Sequence, residues 1–166
     1  MQKANYPQGK WRNVVFFLTA LLVVVADQLS KLWIRSNLLV GQSLFEVGIF
    51  QIIRFPPNTG AAFGLFRDHS FLLTIIALVG VAALLLYALL IYRRFPFLDS
   101  LLGRLSLGLI LGGTIGNLVE RLHFEGVTDF ISIGVWPAFN IADATIVVGI
   151  ILFAYSLLPL AKAKKH

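Results

Sequence analysis

The sequence predicts an α-helical integral membrane protein with four transmembrane helices and a small extracytoplasmic β segment between helices 1 and 2. Hydrophobic residues make up 58% of the 166 residues and charged residues only 13%, whereas a soluble domain has roughly 45–50% and about 25%. The apolar residues also form four long runs, at about 14–34, 71–92, 101–119 and 141–160. Each run can cross a hydrocarbon core about 30 Å thick. The length of the chain predicts a single membrane-embedded domain, 1–166.

The first run follows three basic residues, Lys3, Lys10 and Arg12, and so resembles a secretory signal peptide. It lacks the small-residue cleavage site of such a peptide, and we therefore expect it to remain as the first helix. Trp11 and Trp33 lie near the two ends of this run, about 33 Å apart in an α-helix. That separation suits aromatic side chains at the two interfaces of a bilayer.

The segment at about 38–66 has a different pattern from the four apolar runs. Its apolar and polar side chains alternate up to Phe55, with Gly48 inside the alternation, which favours one or two amphipathic strands. Pro56 and Pro57 then end regular structure. In the third run the glycines recur at spacings of three or four, which predicts close helix packing; they are Gly108, Gly112, Gly113 and Gly116.

Four spans place both termini on one side of the membrane, and the basic residues indicate which side. The termini, the connection after the second run and the start of the third run, which carries Arg104, hold nine of the 14 Lys and Arg residues. By the positive-inside rule, that side is cytoplasmic. The candidate functional residues gather at the opposite, outer end: Asn58, Asn117, Arg121, Asp129, Asn140 and Asp143.

Composition argues against several classes of function. The chain has no cysteine, which excludes disulfides, thiolate metal ligands and a Cys nucleophile. His69 and His123 lack metal-ligand spacing, and no serine has a lysine or histidine in a recognisable arrangement. We therefore expect no metal, no cofactor and no serine nucleophile. The formal net charge of +6 comes from residues scattered at the ends of apolar runs, so nucleic acid is not an expected partner.

Asp129 and Asp143 are the candidate catalytic residues. Asp143 lies about one turn inside the last apolar run. A charge within a membrane helix is costly, roughly 2.5–3.5 kcal/mol at the helix centre. Two carboxylates held close together cannot both ionise cheaply, so one keeps a proton while the other can accept one from water. Such a pair can hydrolyse an amide bond. The alternatives are an ion site, or structural roles with Asp143 as a cap and Asp129 as a solvated loop acid.

Other polar residues admit both structural and functional interpretations. Asp27 and Lys31 form an i,i+4 acid–base pair, which favours stabilisation of the helix terminus or anchoring at the headgroups. Arg121 can bind lipid phosphate, pair with an acid or lie exposed at the interface. Three asparagines have side chains that both donate and accept, suited to holding a peptide or orienting a carboxylate and also typical of turns and caps: Asn58, Asn117 and Asn140.

Five sequence blocks together resemble the lipoprotein signal peptidases, the type II signal peptidases of bacteria. They are Asp27 to Lys31, Asn58 to Phe63, Gly112 to Arg121, Gly126 to Phe130 and Phe139 to Asp143. The resemblance spans nearly the whole chain, and the order of the blocks at the ends of four spans makes it specific.

This resemblance implies an aspartic endopeptidase of the bacterial cytoplasmic (inner) membrane, with Asp129 and Asp143 as the catalytic pair. Members of the family cleave prolipoproteins on the amino side of a cysteine that carries diacylglycerol. The resemblance implies membrane lipids as further partners, a monomer, a β segment that cradles the substrate, and globomycin as an occupant of the site. The family's binding and support positions fall on Asp27, Lys31, Asn58, Gly60, Asn117, Arg121, Asn140 and Ala142.

Glu120 departs from the family pattern, which reads Asn-Leu-x-Asp-Arg in this block. The longer acid keeps the charge, so we expect adjusted packing around the site and retained activity. Two other classes of function stay open. One is a small four-helix ion- or proton-coupled transporter in which Asp27 and Asp143 carry ions, although the polar groups gather at one face and mark no path across the membrane. The other is a non-catalytic lipoprotein-binding factor.

Overall fold

The computed structural model describes residues 8–60, 70–91, 100–124 and 126–163. The helices are α1 (Gln8–Asn37), α2 (Ser70–Leu86), α3 (Leu101–His123) and α4 (Ile141–Ala163), and a π-helical turn, Tyr87–Ile91, continues α2. The strands are β1 (Ser43–Val47), β2 (Phe50–Ile53) and β3 (Ile131–Ile133).

Within the described residues, four helices are long and apolar enough to cross a membrane. Each coincides with one predicted run, and the predicted fold class is confirmed. The described part of α1 starts ahead of its apolar run, and α3 continues about one turn beyond residue 119. Trp11 and Trp33 are both exposed on α1, as side chains at two bilayer interfaces would be. The single-domain prediction for 1–166 stays a prediction, since residues 1–7, 61–69, 92–99, 125 and 164–166 lie outside the described part.

The predicted β segment forms an antiparallel hairpin of β1 and β2. Its two-residue loop contains Gly48 at φ 57°, a conformation that glycine adopts without steric cost. Residues 61–66 of the predicted segment lie outside the described residues. A third strand, β3, pairs antiparallel with β2, and the sequence analysis did not predict it. Because β3 follows α3, the sheet ties the connection between α3 and α4 to the connection between α1 and α2.

Helix α3 is the centre of the bundle, and it is the most buried of the four spans. Glycine lets its neighbours approach closely. A Cβ on Gly112 would lie 2.7 Å from the Ala20 carbonyl oxygen of α1, and one on Gly113 would lie 2.5 Å from the Ala142 carbonyl oxygen of α4. Backbone at these distances leaves no room for a methyl group. The predicted role of these glycines in close packing is confirmed.

We predict that Gly112→Ala destabilises the bundle by about 1–3 kcal/mol, because overpacking at a backbone contact forces the helices apart. Gly80→Ala is the matched control, since a Cβ at Gly80 on α2 would meet nothing within 4 Å. That variant should be neutral or up to about 1 kcal/mol more stable, through helix propensity alone. Unfolding by SDS in mixed micelles measures the free energy of unfolding of both variants. Equal stability of the two variants would contradict the packing argument.

Candidate active site

Asp129 and Asp143 line one cavity of about 570 Å³ at the end of the bundle that carries the sheet, here called the sheet end. Asp129 lies between the bridge residue Val127 and β3, and it is only 3% exposed. Its interpretation as a solvated loop acid is therefore wrong. Asp143 lies in the first turn of α4.

Asn140 and Asp143 cap α4 reciprocally. The Asp143 N–H donates to Asn140 Oδ1 at 3.0 Å, and the Asn140 N–H donates to Asp143 Oδ2 at 3.3 Å. This is the geometry of a capping box, which satisfies backbone donors that the helix leaves without partners. Asp143 therefore has the structural role considered as an alternative, and its carboxylate also lines the cavity. The cap fixes the direction of that carboxylate.

Asn140 also connects the two candidate catalytic acids. Its Nδ2 donates to Asp129 Oδ1 at 2.8 Å, while its Oδ1 and backbone N–H contact Asp143. The other oxygen of Asp129, Oδ2, accepts from Asn58 Nδ2 at 2.8 Å. Each carboxylate oxygen of Asp129 thus receives one amide donor, which holds the group in place.

Asn58 is positioned by backbone pairing with the segment before Asp129. Its N–H donates to the Val127 carbonyl at 2.8 Å, and the Val127 N–H donates back at 3.0 Å. A Cβ on Gly126 would lie 2.9 Å from the Asn58 carbonyl oxygen, so glycine is required for this approach. The Asn58 side chain in turn accepts from the Gly60 N–H at 2.9 Å.

Asn117 is oriented by Lys31. Lys31 Nζ donates to Asn117 Oδ1 at 2.8 Å, and because an ammonium group can only donate, the amide must present its oxygen to it. The NH₂ group of Asn117 then points to Asp143 and donates to Oδ1 at 2.7 Å. A buried lysine on α1 thereby determines which hydrogen bond Asp143 on α4 receives.

Asp27 and Lys31 form the predicted ion pair, 2.8 Å between Nζ and Oδ2, with both side chains 0% exposed. Anchoring at the headgroups is therefore wrong, because the pair lies inside the bundle. Asp27 Oδ1 accepts from the Ala142 N–H at 3.0 Å, near the start of α4. A Cβ on Gly116 would lie 2.5 Å from Asp27 Oδ2, so α3 also closes over this carboxylate.

Arg121 is partly buried at the cavity and is not a freely exposed interfacial side chain. Its Nη2 donates to the Gly60 carbonyl at 3.3 Å, and its Nε is buried without a hydrogen bond to any described residue. Gly60 lines the same cavity. The structure therefore brings all ten candidate residues into one connected region at the sheet end.

Sequence reasoning missed Arg35 and Thr128 and left Glu120 without a partner. Glu120 is fully buried, and its two oxygens contact Arg35 Nη1 and the Thr128 N–H. Spacing contains a signal that could have identified Arg35, because Asp27, Lys31 and Arg35 recur every four residues and share one helix face. No local pattern marks Thr128, whose contact with Glu120 depends on the fold.

The pKa of Asp129 is raised from 3.8 to about 6, chiefly because burial removes the hydration of the charged form. The negative charge of Asp143 contributes to the same rise. The amide donors of Asn58 and Asn140 and the positive charge of Lys31 oppose these effects without cancelling them. Asp129 is thus suited to keep its proton up to about pH 6, whereas an exposed aspartate releases it at about pH 4.

Two acids on separate segments, facing one cavity, can activate water and protonate a carbonyl oxygen. In the residues that the structure describes, no group of three or more His, Cys, Asp or Glu side chains could hold a metal ion. The donor side chains that line the cavity include Asn58, Asn117 and Arg121, and Lys31 lies behind Asn117; such donors suit carboxylates and peptide carbonyls.

Comparison with known proteins identifies relatives along most of the chain. The family model described as signal peptidase (SPase) II matches residues 19–159. The lipoprotein signal peptidase of Dehalococcoides mccartyi strain CBDB1 is 46% identical over 140 residues, 84% of this chain and 86% of the relative. That of Moorella thermoacetica is 43% identical over 143 residues, 86% of this chain and 92% of the relative.

Two solved structures have a similar fold, and both are described as bacterial membrane enzymes determined by the in meso method. The one at 2.3 Å resolution has a TM-score of 0.78 and 27% identity, covering 90% of each chain. The one at 1.9 Å resolution has a TM-score of 0.72 and 30% identity, covering 86% of this chain and 92% of that chain.

We predict that Lys31→Met lowers the free energy of unfolding by about 3–5 kcal/mol, because Asp27 is left as an uncompensated buried charge. The double variant Asp27→Asn/Lys31→Met should regain part of this loss, since an asparagine can still accept from the Ala142 N–H. SDS unfolding of both variants measures the difference. A double variant no more stable than Lys31→Met would contradict the charge argument.

Proposed function

This chain belongs to the signal peptidase II family, and on that premise we propose that it is an aspartic endopeptidase. Family membership supports proteolytic removal of signal peptides from prolipoproteins. The finer proposal is that Asp129 and Asp143 activate the attacking water, and that the cut lies on the amino side of a diacylglyceryl-modified cysteine. The observation that carries it is the cavity in which these two acids, joined by Asn140, face the same space.

In the proposed reaction, Asp143 accepts a proton from water as the water oxygen attacks the carbonyl carbon before the lipidated cysteine. Asp129 donates its proton to the carbonyl oxygen, a role that its raised pKa supports. Collapse of the tetrahedral intermediate returns the carbonyl-oxygen proton to Asp129, re-forms the carbonyl and breaks the C–N bond. The proton that Asp143 accepted passes to the leaving amine of the cysteine, and the signal peptide departs with a new carboxyl terminus.

The polar residues around the pair have positioning and binding roles in this proposal. Asn58, Asn117 and Asn140 hold the two carboxylates by the hydrogen bonds described above, so little reorganisation is needed when charge moves during the reaction. Arg121 binds the substrate near the scissile bond. Its buried Nε–H has no hydrogen-bond partner among the described residues and can donate to the substrate. Gly60 presents backbone next to it at the cavity.

Access from the lipid side is supported by the apolar wall of the cavity on α4. Ile146, Val147 and Val148 line the cavity, and Val147 and Val148 are 56% and 48% exposed on the surface of the bundle. A signal peptide helix can therefore approach sideways while the acyl chains of its lipidated cysteine stay in hydrocarbon. Globomycin is expected to occupy the same cavity.

The sheet end is proposed to lie at the extracytoplasmic face of the bacterial cytoplasmic membrane, with both termini in the cytoplasm. The positive-inside rule concerns basic residues in loops and at span ends. At the sheet end the described Lys and Arg side chains are engaged within the protein: Lys31 with Asp27, Arg35 with Glu120, Arg54 with the carbonyls of Arg35 and Leu38, and Arg121 with Gly60. We also expect a monomer, because the cavity is formed within one chain.

A transporter is the weaker alternative. Asp27 and Asp143, the residues it would use to carry ions, lie in the same region, and Asp27 is enclosed by Lys31, Gln28 and the Ala142 N–H. An ion would have to displace these partners to bind there. Both acids belong to the sheet end, so among the described residues they do not mark a path across the bundle.

We predict that Asp129→Asn and Asp143→Asn each lower kcat for a diacylglyceryl-modified precursor peptide by about 10²–10⁴-fold or more, because each removes a general acid or base. Mass spectrometry of the product measures cleavage, and binding of the uncut peptide verifies the fold. His123→Gln, an exposed change on α3, should cleave at the wild-type rate. Either asparagine variant cleaving at near wild-type rate would refute the aspartic mechanism.

We predict that kcat/KM of the free enzyme falls as the pH rises through about 6. Below that pH Asp129 holds the shared proton, and above it the pair loses the proton that must reach the carbonyl oxygen. The two acids titrate as one unit, so the profile reports an apparent pKa of the pair. A precursor peptide without titrating groups near the cut is the substrate to use. A flat profile between about pH 6 and 8 would contradict this assignment of the proton.

A further inference from the structure

We propose that Glu120, Arg35 and Thr128 form a positioning clamp that sets the location of Asp129, a proposal that rests on the aspartic mechanism above. None of the three lines the cavity, so none is a catalytic residue. They join three separate segments: Arg35 is on α1, Glu120 on α3, and Thr128 is the residue before Asp129.

The contacts within the clamp close on one another. Glu120 Oε2 accepts from the Thr128 N–H at 2.7 Å, and Glu120 Oε1 accepts from Thr128 Oγ1 at 3.1 Å and from Arg35 Nη1. Arg35 Nη1 also donates to Thr128 Oγ1 at 3.1 Å. Both the backbone and the side chain of Thr128 are therefore held. Since the Thr128 peptide leads directly into Asp129, a shift of Thr128 moves the catalytic carboxylate.

Arg35 is itself held in place from two sides. Its guanidinium carbon lies 4.5 Å from the centroid of the Phe124 ring, at the end of α3. Its backbone carbonyl accepts from Arg54 Nη1 at 3.0 Å, which ties the end of α1 to the residue that follows β2. The sheet and two helices thus converge on the residue that neutralises Glu120.

Charge explains why the clamp needs Arg35. Glu120 is fully buried and also lies 3.5 Å from Lys31 Nζ, but Lys31 is closer to Asp27, at 2.8 Å. With Arg35 present, the buried acids Asp27 and Glu120 each have a base as partner, so Lys31 remains with Asp27 and Asn117. Without Arg35, Glu120 would compete with Asp27 for Lys31, whose hydrogen bond also orients Asn117.

The length of Glu120 suits this arrangement. One side chain reaches both the Thr128 N–H and the guanidinium of Arg35, whereas the aspartate that the family usually has here is shorter by one methylene. We expect an aspartate at this Cα position to lose one of the two contacts. Arg35 and the glutamate at position 120 are therefore complementary. This pairing explains the departure from the family pattern at position 120.

The test is steady-state cleavage of the lipidated precursor peptide by Glu120→Asp, Glu120→Gln and Arg35→Gln, with rates expressed per enzyme molecule that binds an uncleavable precursor. We expect kcat to fall by about 10–100-fold with KM within about twofold, the effect of a misplaced reacting group in a site that still binds substrate. His123→Gln is the matched control on α3 and should keep both parameters.

The double variant Glu120→Asp/Arg35→Gln separates the clamp from a general loss of fold. If the two positions act together, its kcat should fall by less than the product of the two single effects, because the second change removes a partner already lost. Strictly multiplicative effects would overturn the proposal. A wild-type kcat in folded Glu120→Asp would also overturn it. So would a loss of activity that comes only from a smaller fraction of enzyme that binds the precursor, with kcat per binding-competent molecule unchanged. Activity in Asp129→Asn would instead refute the aspartic mechanism itself.

Discussion

Burial of charge at the sheet end is the constraint on which the rest of the structure depends. Asp27, Lys31 and Glu120 are fully buried, and Asp129 is nearly so. A buried ion without partners costs several kcal/mol, so the fold has to bring donors from several segments to these few atoms. The result is a network in which asparagine amides, helix N–H groups and two bases supply the partners.

The architecture follows from that requirement. Helix α3 carries Asn117 and Glu120 and packs through glycine against both α1 and α4, which brings Lys31 and Ala142 within hydrogen-bond distance of their partners. The sheet adds the missing segment, because β3 and the bridge between Asn58 and Val127 pull the Asp129 loop against β2. A four-helix bundle without this sheet would hold only one of the two acids.

In the proposed mechanism, stability and activity depend on the same hydrogen bonds at this site. Asn140 begins α4 and also connects Asp129 with Asp143, so the start of the helix and the spacing of the acids cannot vary independently. Asp27 likewise accepts from the Ala142 N–H while it neutralises Lys31. Residues with two such roles constrain the site more tightly than a loop could, since their positions are set by whole helices.

The sequence by itself determined the four spans, the hairpin of β1 and β2, the glycine packing of α3 and the set of candidate site residues, because hydrophobic runs, period-two alternation and motif blocks are local patterns. It left open whether Asp129 was solvated and whether the Asp27–Lys31 pair lay at the headgroups, because burial depends on what packs outside the segment. Only the tertiary structure decided that β3 joins the sheet and that Asn140 connects the two acids. The pairing of Glu120 with Arg35 and Thr128 also depended on the fold. Arg35 lies 85 positions from Glu120 in the chain and Thr128 lies eight positions from it, so no local pattern predicts either contact.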